Sequence, residues 1–428
     1  MHHTSGSALP VARLPRDLPL RGVTVVSCEQ AVAAPFATRQ LADLGARVIK
    51  IERPGRGDFA RDYDETVRGM SSHFVWLNRS KESVALDLKD PSSHDVMAAL
   101  LERADVFVQN LAPGAADRLG LGAAELCARW PRLITCSVSG YGTNGPLRDA
   151  KAYDLLIQSE AGLVSITGTE AEPAKAGIPA ADIAAGMYAF SGILTALYDR
   201  QRTDVGTALD ISLFDALVEW MGYPLYYTGH GGNAPQRTGT SHAAIAPYGT
   251  FRAGDGTDVV LSVQNEREWE AFCSIVLDDS NVSTDPRFAT GALRVRHREE
   301  LDRLIHDHLV TLTGEQFQAR LEQAAIAHAR QRDLHSVLEH PQLSSRGRWR
   351  DVDSPVGRLR ATLPPICMEG VEPRMDRIPA VGEHTEAVLA ELGLPGGHID
   401  DHLSGTVEQG PTATGATMMT RCAEPRRM

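Results

Sequence analysis

The sequence predicts an α/β fold: a doubly wound domain accompanied by a smaller α+β domain. Two observations predict it. Short β-branched runs alternate with segments of helical periodicity from Val23 to Val138, and strands joined by crossover helices form parallel sheets. Further on, a hairpin signal followed by charged helices sets residues 228–330 apart as the smaller domain.

The elements follow in order. Val23-Thr24-Val25-Val26 is a short strand, and Ala33-Ala34-Pro35 reads as loop. Phe36 to Leu44 carries helical periodicity and stops at Gly45, after which Val48 to Glu52 is the next strand. Ser83 to Leu88 reads as a strand, Ser93 to Arg103 as a helix and Val106 to Val108 as a strand. Ala123 to Trp130 is a helix and Leu133 to Val138 a strand. An apolar helix over Ile183 to Tyr198 precedes a strand at Ala208 to Leu213 and a second apolar helix from about Asp215 to Tyr227. The glycine-rich stretch 229–242 reads as a loop. Gly249 to Phe251 and Val259 to Val263 flank Asp255-Gly256 as a hairpin, and a last helix covers Thr385 to Leu392. The chain then divides into a flexible start (1–17), a first part of the large domain (18–205), a linker helix region (206–227), the small domain (228–330), a return to the large domain (331–403) and a disordered tail (404–428) that is poor in large apolar residues.

Composition narrows the function. The 428 residues are 43% hydrophobic, enough for one large or two ordinary cores. A formal net charge of −12 argues against a nucleic-acid surface and gives no general attraction to anionic membranes. Six cysteines lie scattered without a C-x-x-C pair, which reads as reduced thiols in a cytoplasmic protein. No apolar run of about 18 residues is free of polar interruption, so no membrane span is expected. Glu52 ends the second strand, where a dinucleotide site would hold ribose. The first turn, Ser27 to Pro35, lacks G-x-G-x-x-G, so NAD and FAD are rejected in their usual mode.

One polar residue stands out. Pro179 discourages helix just before Asp182, which puts Asp182 at or near the N-cap of the apolar helix. There, backbone N–H groups and the helix dipole favour an ionised carboxylate. Position alone leaves two readings open, a cap and a nucleophile held charged and partly dry.

A set of motifs in order and spacing now carries a resemblance. Leu41-Ala42-Asp43-Leu44-Gly45-Ala46-Arg47-Val48-Ile49-Lys50-Ile51-Glu52-Arg53 follows Ala33-Ala34-Pro35. Then come Val84 to Lys89, Asn110-Leu111-Ala112-Pro113-Gly114, Gly140-Tyr141-Gly142, the Asp182 segment and Pro379 to Thr385. Over nearly all of 18–402 the chain resembles the class III coenzyme A transferases, the group with formyl-CoA:oxalate and carnitine CoA-transferases. α-Methylacyl-CoA racemases share that fold. The resemblance implies a large Rossmann-like domain built from both chain ends, and a homodimer whose subunits interlock like linked rings.

The resemblance also implies chemistry. Asp182 matches the family nucleophile, which attacks a donor acyl-CoA and passes through a mixed anhydride to an aspartyl-CoA thioester. Asp154 and Tyr153 fall beside the active site of relatives. Asp154 is given a supporting role, with a hydrogen-bonded core aspartate as the other reading. Gly231 and Gly232 match a mobile glycine loop or are an ordinary surface loop. Arg53, Lys89, Arg118 and Lys151 fall where the family contacts CoA, as do Val32, Ala33, Leu86, Asn110 and Leu111. Each cation has the alternative of a solvated surface charge. The apolar side chain of Val32, where some relatives carry a polar one, implies a different acyl pocket. Racemases carry a His-Asp pair where this chain has Tyr153-Asp154, so racemisation is the runner-up activity, and CoA binding without catalysis is a third. CoA thioesters, with succinyl-CoA as the donor many relatives use, and small carboxylates are expected as substrates, with no tightly bound cofactor or metal.

Overall fold

The computed structural model describes residues 17–394; the expectations for 1–16, for 395–403 and for the tail from 404 lie outside them. Six parallel strands form the main sheet: β1 (Thr24–Cys28), β2 (Arg47–Glu52), β3 (Lys81–Ala85), β4 (Val106–Gln109), β5 (Ile134–Ser139) and β6 (Ala208–Ser212). Their order is β3-β2-β1-β4-β5-β6, which is that of a doubly wound sheet whose strand order reverses between β1 and β4. Successive residues of a strand face opposite sides. Val25, Val48, Val106 and Val108 therefore join one core, while Val26, Ile49 and Phe107 join the other.

The first core is closed by α1 (Ala33–Asp43). The second is closed by α2 (Ser92–Glu102) and by α3 (Ala123–Arg129), which contributes Leu126. A short α4 (Asp154–Glu160) precedes the long α5 (Ala180–Thr203), which packs on α1. Beyond β6 come α6 (Leu213–Trp220) and α7 (Gly222–Gly229), two helices where the sequence predicted one. A hairpin of β7 (Tyr248–Arg252) and β8 (Asp258–Ser262) turns at Gly256, whose φ of +83° suits glycine. With β9 (Ala327–Arg330) and the helices between, it encloses its own core around Trp269, Phe272 and Phe317. A second hairpin, β10 (Trp349–Val352) with β11 (Leu359–Thr362), packs on Phe74. The last helix described, α8 (Thr385–Leu392), returns to the main sheet and buries Val388 and Leu389 against the α2 side.

Several boundaries differ from expectation for physical reasons. Pro35 lies in the first turn of α1 rather than in a loop, where its missing N–H costs nothing. β3 begins at Lys81 because its charged residues are paired: Lys81 Nζ meets Glu29 at 2.6 Å and Glu82 meets Arg47 at 2.8 Å. By length and composition α5 could cross a bilayer, although no span was expected. In this fold 56% of that apolar stretch is buried in protein.

The α1–α5 contact is close because of one glycine. A Cβ on Gly186 would meet the Ala33 carbonyl oxygen at 2.6 Å and Phe36 at 3.0 Å. Alanine is the better helix former by about 1 kcal/mol. Overpacking against backbone costs about 1–3 kcal/mol, so the contact outweighs propensity. Gly186→Ala is expected to lower the melting temperature by several degrees, read by calorimetry.

Candidate active site

The carboxyl ends of β1 to β4 open on a cleft of about 380 Å³ at the point where strand order reverses. Doubly wound sheets bind ligands at such points. Five predicted residues line it: Arg53, Leu86, Lys89, Leu111 and Arg118. Arg53, Lys89 and Arg118 are exposed, and among the described residues none of the three has a carboxylate partner. The Arg118 guanidinium lies close to Gly114, where a Cβ would meet its Nη1 at 3.0 Å.

Glu52 also lines the cleft but is spoken for. Arg61 binds it through two nitrogens at 2.9 and 2.7 Å, and Ser83 donates to it at 2.5 Å. Burial works against its charge, yet Arg61, Lys50 and Ser83 outweigh burial and hold it down to about 2. Cys28, at the base, has its thiol pushed up to about 12 by burial and Glu29, which leaves it a poor nucleophile.

The remaining predicted contacts sit as follows. Asn110 clamps the loop after β1, accepting from the Gln30 N–H and donating to the Gln30 carbonyl, both at 2.8 Å. Val32 and Ala33 are buried at the start of α1. Lys151 is exposed and does not line the cleft. Gly231 and Gly232 finish α7: the Gly232 N–H bonds the Tyr227 carbonyl at 3.0 Å, and the Gly231 N–H bonds that of Thr228 at 3.4 Å. No hydrogen bond joins either glycine to the Asp182 segment among the described residues.

Asp182 is half-buried in the first turn of α5, whose N-cap is Pro179, so Asp182 is not the cap. Asp154 does that work from outside the helix. Its Oδ1 accepts from the Ala181 and Asp182 N–H groups at 2.8 and 3.3 Å, and its Oδ2 accepts from Gln158 at 2.7 Å. Gln158 in turn accepts from the Ala176 N–H at 2.9 Å and so braces the approach to the helix. The Asp182 carboxyl itself accepts no hydrogen bond among the described residues. The expectation that the helix start keeps it ionised is corrected. Burial, and then the like charge of Asp154, push it up to about 7.

Two nearby groups escaped the sequence reading. The Tyr63 phenol is raised to about 12 by burial, then by Asp58, Asp182 and Tyr153, which places it among these groups. Its ring packs between Phe59 at 5.7 Å and His73 at 5.3 Å. Asp58, buried beneath, pairs with Lys50 at 2.6 Å. Nothing in the polar stretch 54–64 distinguishes them by periodicity from an ordinary loop.

One short segment joins cleft to carboxylate. Gln30 lines the cleft, and three residues later the Ala33 carbonyl touches Gly186, one helical turn beyond Asp182 on the same face.

Comparison with known proteins fits this arrangement. The model of CoA-transferase family III matches residues 20–385. The chain belongs to that family. It is 31% identical to succinyl-CoA:glutarate CoA-transferase of Homo sapiens, over 87% of this chain and 86% of that enzyme. Succinyl-CoA–D-citramalate CoA-transferase of Chloroflexus aurantiacus is 31% identical over 87% of this chain and 94% of its own length. A CAIB/BAIF family protein from Brucella suis superposes with a TM-score of 0.79 at 31% identity, over 88% of this chain and 100% of that one. The protein is thus an enzyme, a CoA-transferase of the CaiB/BaiF type. As a CoA-transferase it takes CoA thioesters as substrates, and these carry phosphates at one end and an acyl group at the other. The unpaired cations of the cleft and the half-buried carboxylate beyond the Gln30–Ala33 segment offer two ends of matching character.

Proposed function

We propose that this CoA-transferase moves CoA from succinyl-CoA to a small dicarboxylic acid, with Asp182 as the covalent nucleophile. The observation that carries the reading is a carboxylate with no hydrogen-bond partner among the described residues, half-buried at the start of α5 and joined to the cleft by the Gln30–Ala33 segment. The Asp182 carboxylate attacks the thioester carbonyl carbon and expels CoA thiolate, leaving a mixed anhydride. The thiolate attacks the aspartyl carbonyl of that anhydride, giving aspartyl-CoA thioester and free donor acid. The acceptor carboxylate then runs both steps in reverse, restoring Asp182. Each step needs a dry site and donors for the developing oxyanion. α1 begins without a side-chain cap, which leaves backbone N–H groups at Val32 and Ala33 for that purpose. The donor is chosen because relatives named for succinyl-CoA cover most of this chain. Tyr153, an exposed phenol where an α-proton racemase needs a second base poised near neutral pH, supports transfer over racemisation.

Incubation with succinyl-CoA and hydroxylamine tests this reading. The thioester carbonyl of Asp182 should be trapped as a hydroxamate, found by peptide mapping. Labelling at Asp154 or at a cysteine would overturn the assignment.

Arg53, Arg118 and Lys89 bind the CoA phosphates in this reading. Charge-assisted hydrogen bonds are worth about 1.5–3 kcal/mol, and contacts remote from the reacting atoms act as uniform binding. Arg118→Ala and Arg53→Ala are therefore expected to raise KM for succinyl-CoA about tenfold or more while kcat stays within about threefold. The comparison of KM between CoA and dephospho-CoA esters shows which arginine meets the 3′-phosphate. We also propose a homodimer, supported by exposed aromatic side chains on α6 and α7: Trp220, Tyr223, Tyr226 and Tyr227.

A further inference from the structure

The turn between the cleft and the nucleophile helix is held in an unusual shape. Ala31 has a φ of +62°, in the left-handed region that disfavours any residue with a Cβ. It lies between Gln30, which lines the cleft, and Val32–Ala33, whose Ala33 carbonyl meets α5 at Gly186. If Ala31 relaxed to negative φ, the chain on either side would swing apart.

Two clamps prevent this. Asn110 holds Gln30 through its N–H and carbonyl, both at 2.8 Å. Asp58 holds Ala31: its Oδ1 accepts from the Ala31 N–H at 3.1 Å and from the Ala60 N–H at 2.9 Å. The other Asp58 oxygen takes Lys50 Nζ at 2.6 Å, and both side chains are fully buried. Lys50 is fixed in turn by Asn78 at 3.0 Å. A buried ion pair is a poor source of stability, because desolvating both charges offsets their attraction. What this pair supplies is a rigid, charged acceptor aimed at the Ala31 and Ala60 N–H groups.

We propose that Asp58, backed by Lys50, is a positioning residue for CoA transfer: it latches Ala31 in the left-handed conformation and so sets Val32–Ala33 against the face of α5 that carries Asp182. The proposal rests on the reading of Asp182 as nucleophile. Neither Asp58 nor Lys50 touches the reacting atoms. They act through the turn, and small misplacements of reacting groups are expensive in rate.

The test uses the full chain in four forms: wild type, Asp58→Asn, Ala31→Val, and Asp58→Asn with Ala31→Gly. Glycine adopts positive φ without strain, so it should hold the turn when the latch is weakened. It cannot repair the ion pair. kcat, KM for succinyl-CoA and the single-turnover rate of adduct formation on Asp182 are measured. Asp58→Asn is expected to lower kcat and the adduct rate about 10- to 100-fold, with KM within about threefold. The double variant should recover about fivefold or more of that loss. Ala31→Val, which strains the turn and leaves the ion pair intact, should lower kcat about tenfold. A double variant no faster than Asp58→Asn, or an Asp58→Asn enzyme as fast as wild type, overturns the latch. Should Asp58→Asn fail to fold, Ala31→Val decides, and an unchanged kcat overturns the proposal. If wild type forms no adduct on Asp182, the nucleophile reading fails separately, and the kcat rescue still judges the latch.

Discussion

Asp182→Asn is expected to abolish transfer, with turnover down by about 10⁴-fold or more, as befits loss of a covalent nucleophile. The fold should survive, because Asp182 caps nothing: the α5 N–H groups are served by Asp154. The variant should even be the more stable protein above neutral pH. Burial and Asp154 raise the Asp182 carboxyl from 3.8 to about 7 in the folded enzyme. A group raised on folding contributes stability that is fully present below its unfolded pKa and is lost as pH rises through the folded one. Wild type therefore loses stability between about pH 3.8 and 7, whereas the asparagine variant, which does not titrate, does not. Asp182 is half-buried, so screening reduces the gain to about 1 kcal/mol, or about 2–4 °C in Tm at pH 8. Melting curves of the two proteins should converge near pH 4 and separate by pH 8. A stable but active Asp182→Asn enzyme would end the covalent reading, and a variant that melts lower at pH 8 would end the account of the strained carboxylate.

The strands of this fold were legible because each is a short apolar run, and β1, β4 and β5 lie within two residues of their expected bounds. β3 was misplaced where hydrophobicity stops being the signal, since Lys81 is buried by pairing with Glu29 rather than excluded by its charge. The same failure hid Lys50, a cation inside the second strand, and Asp58, an acid in a polar stretch, until the fold buries them together. Asp182 was found by its place at an apolar helix start, but its charge state was read from the helix alone. The groups that decide it are burial and Asp154, 28 residues away. The cations of the cleft were legible only through family resemblance. Arg53 and Arg118 carry no local pattern that separates them from surface arginines, and their common cleft exists only after four strands are aligned.

Asp154→Asn separates the two roles that geometry gives Asp154. As a like charge it raises the Asp182 pKa, second to burial. Removing the charge should shift the acid limb of kcat/KM below its wild-type midpoint near 7, by about 0.5–1 unit. The nucleophile then ionises more readily, which by itself favours activity at pH 6. As a hydrogen-bond acceptor, Asp154 holds the first turn of α5, and the asparagine weakens it. Its Oδ1 still accepts from the Ala181 N–H, but its amide now faces the Gln158 amide that Oδ2 accepted at 2.7 Å. Gln158 must rotate or fall back on its longer bond to the Ile178 carbonyl at 3.3 Å, and rotation breaks its bond from the Ala176 N–H. One such loss costs about 1–3 kcal/mol, and a looser helix start displaces the carboxylate it carries. kcat at the plateau is therefore expected to fall about tenfold, opposite in direction to the gain in ionisation. A profile of kcat/KM from pH 5 to 9 reads both effects at once. A lowered plateau with an unmoved midpoint would make Asp154 a brace alone, and a shifted midpoint with an unchanged plateau would make it a charge alone. Asp154→Ala, which removes the acceptor and the charge together, should show the same shift with a deeper plateau and a lower Tm than Asp154→Asn.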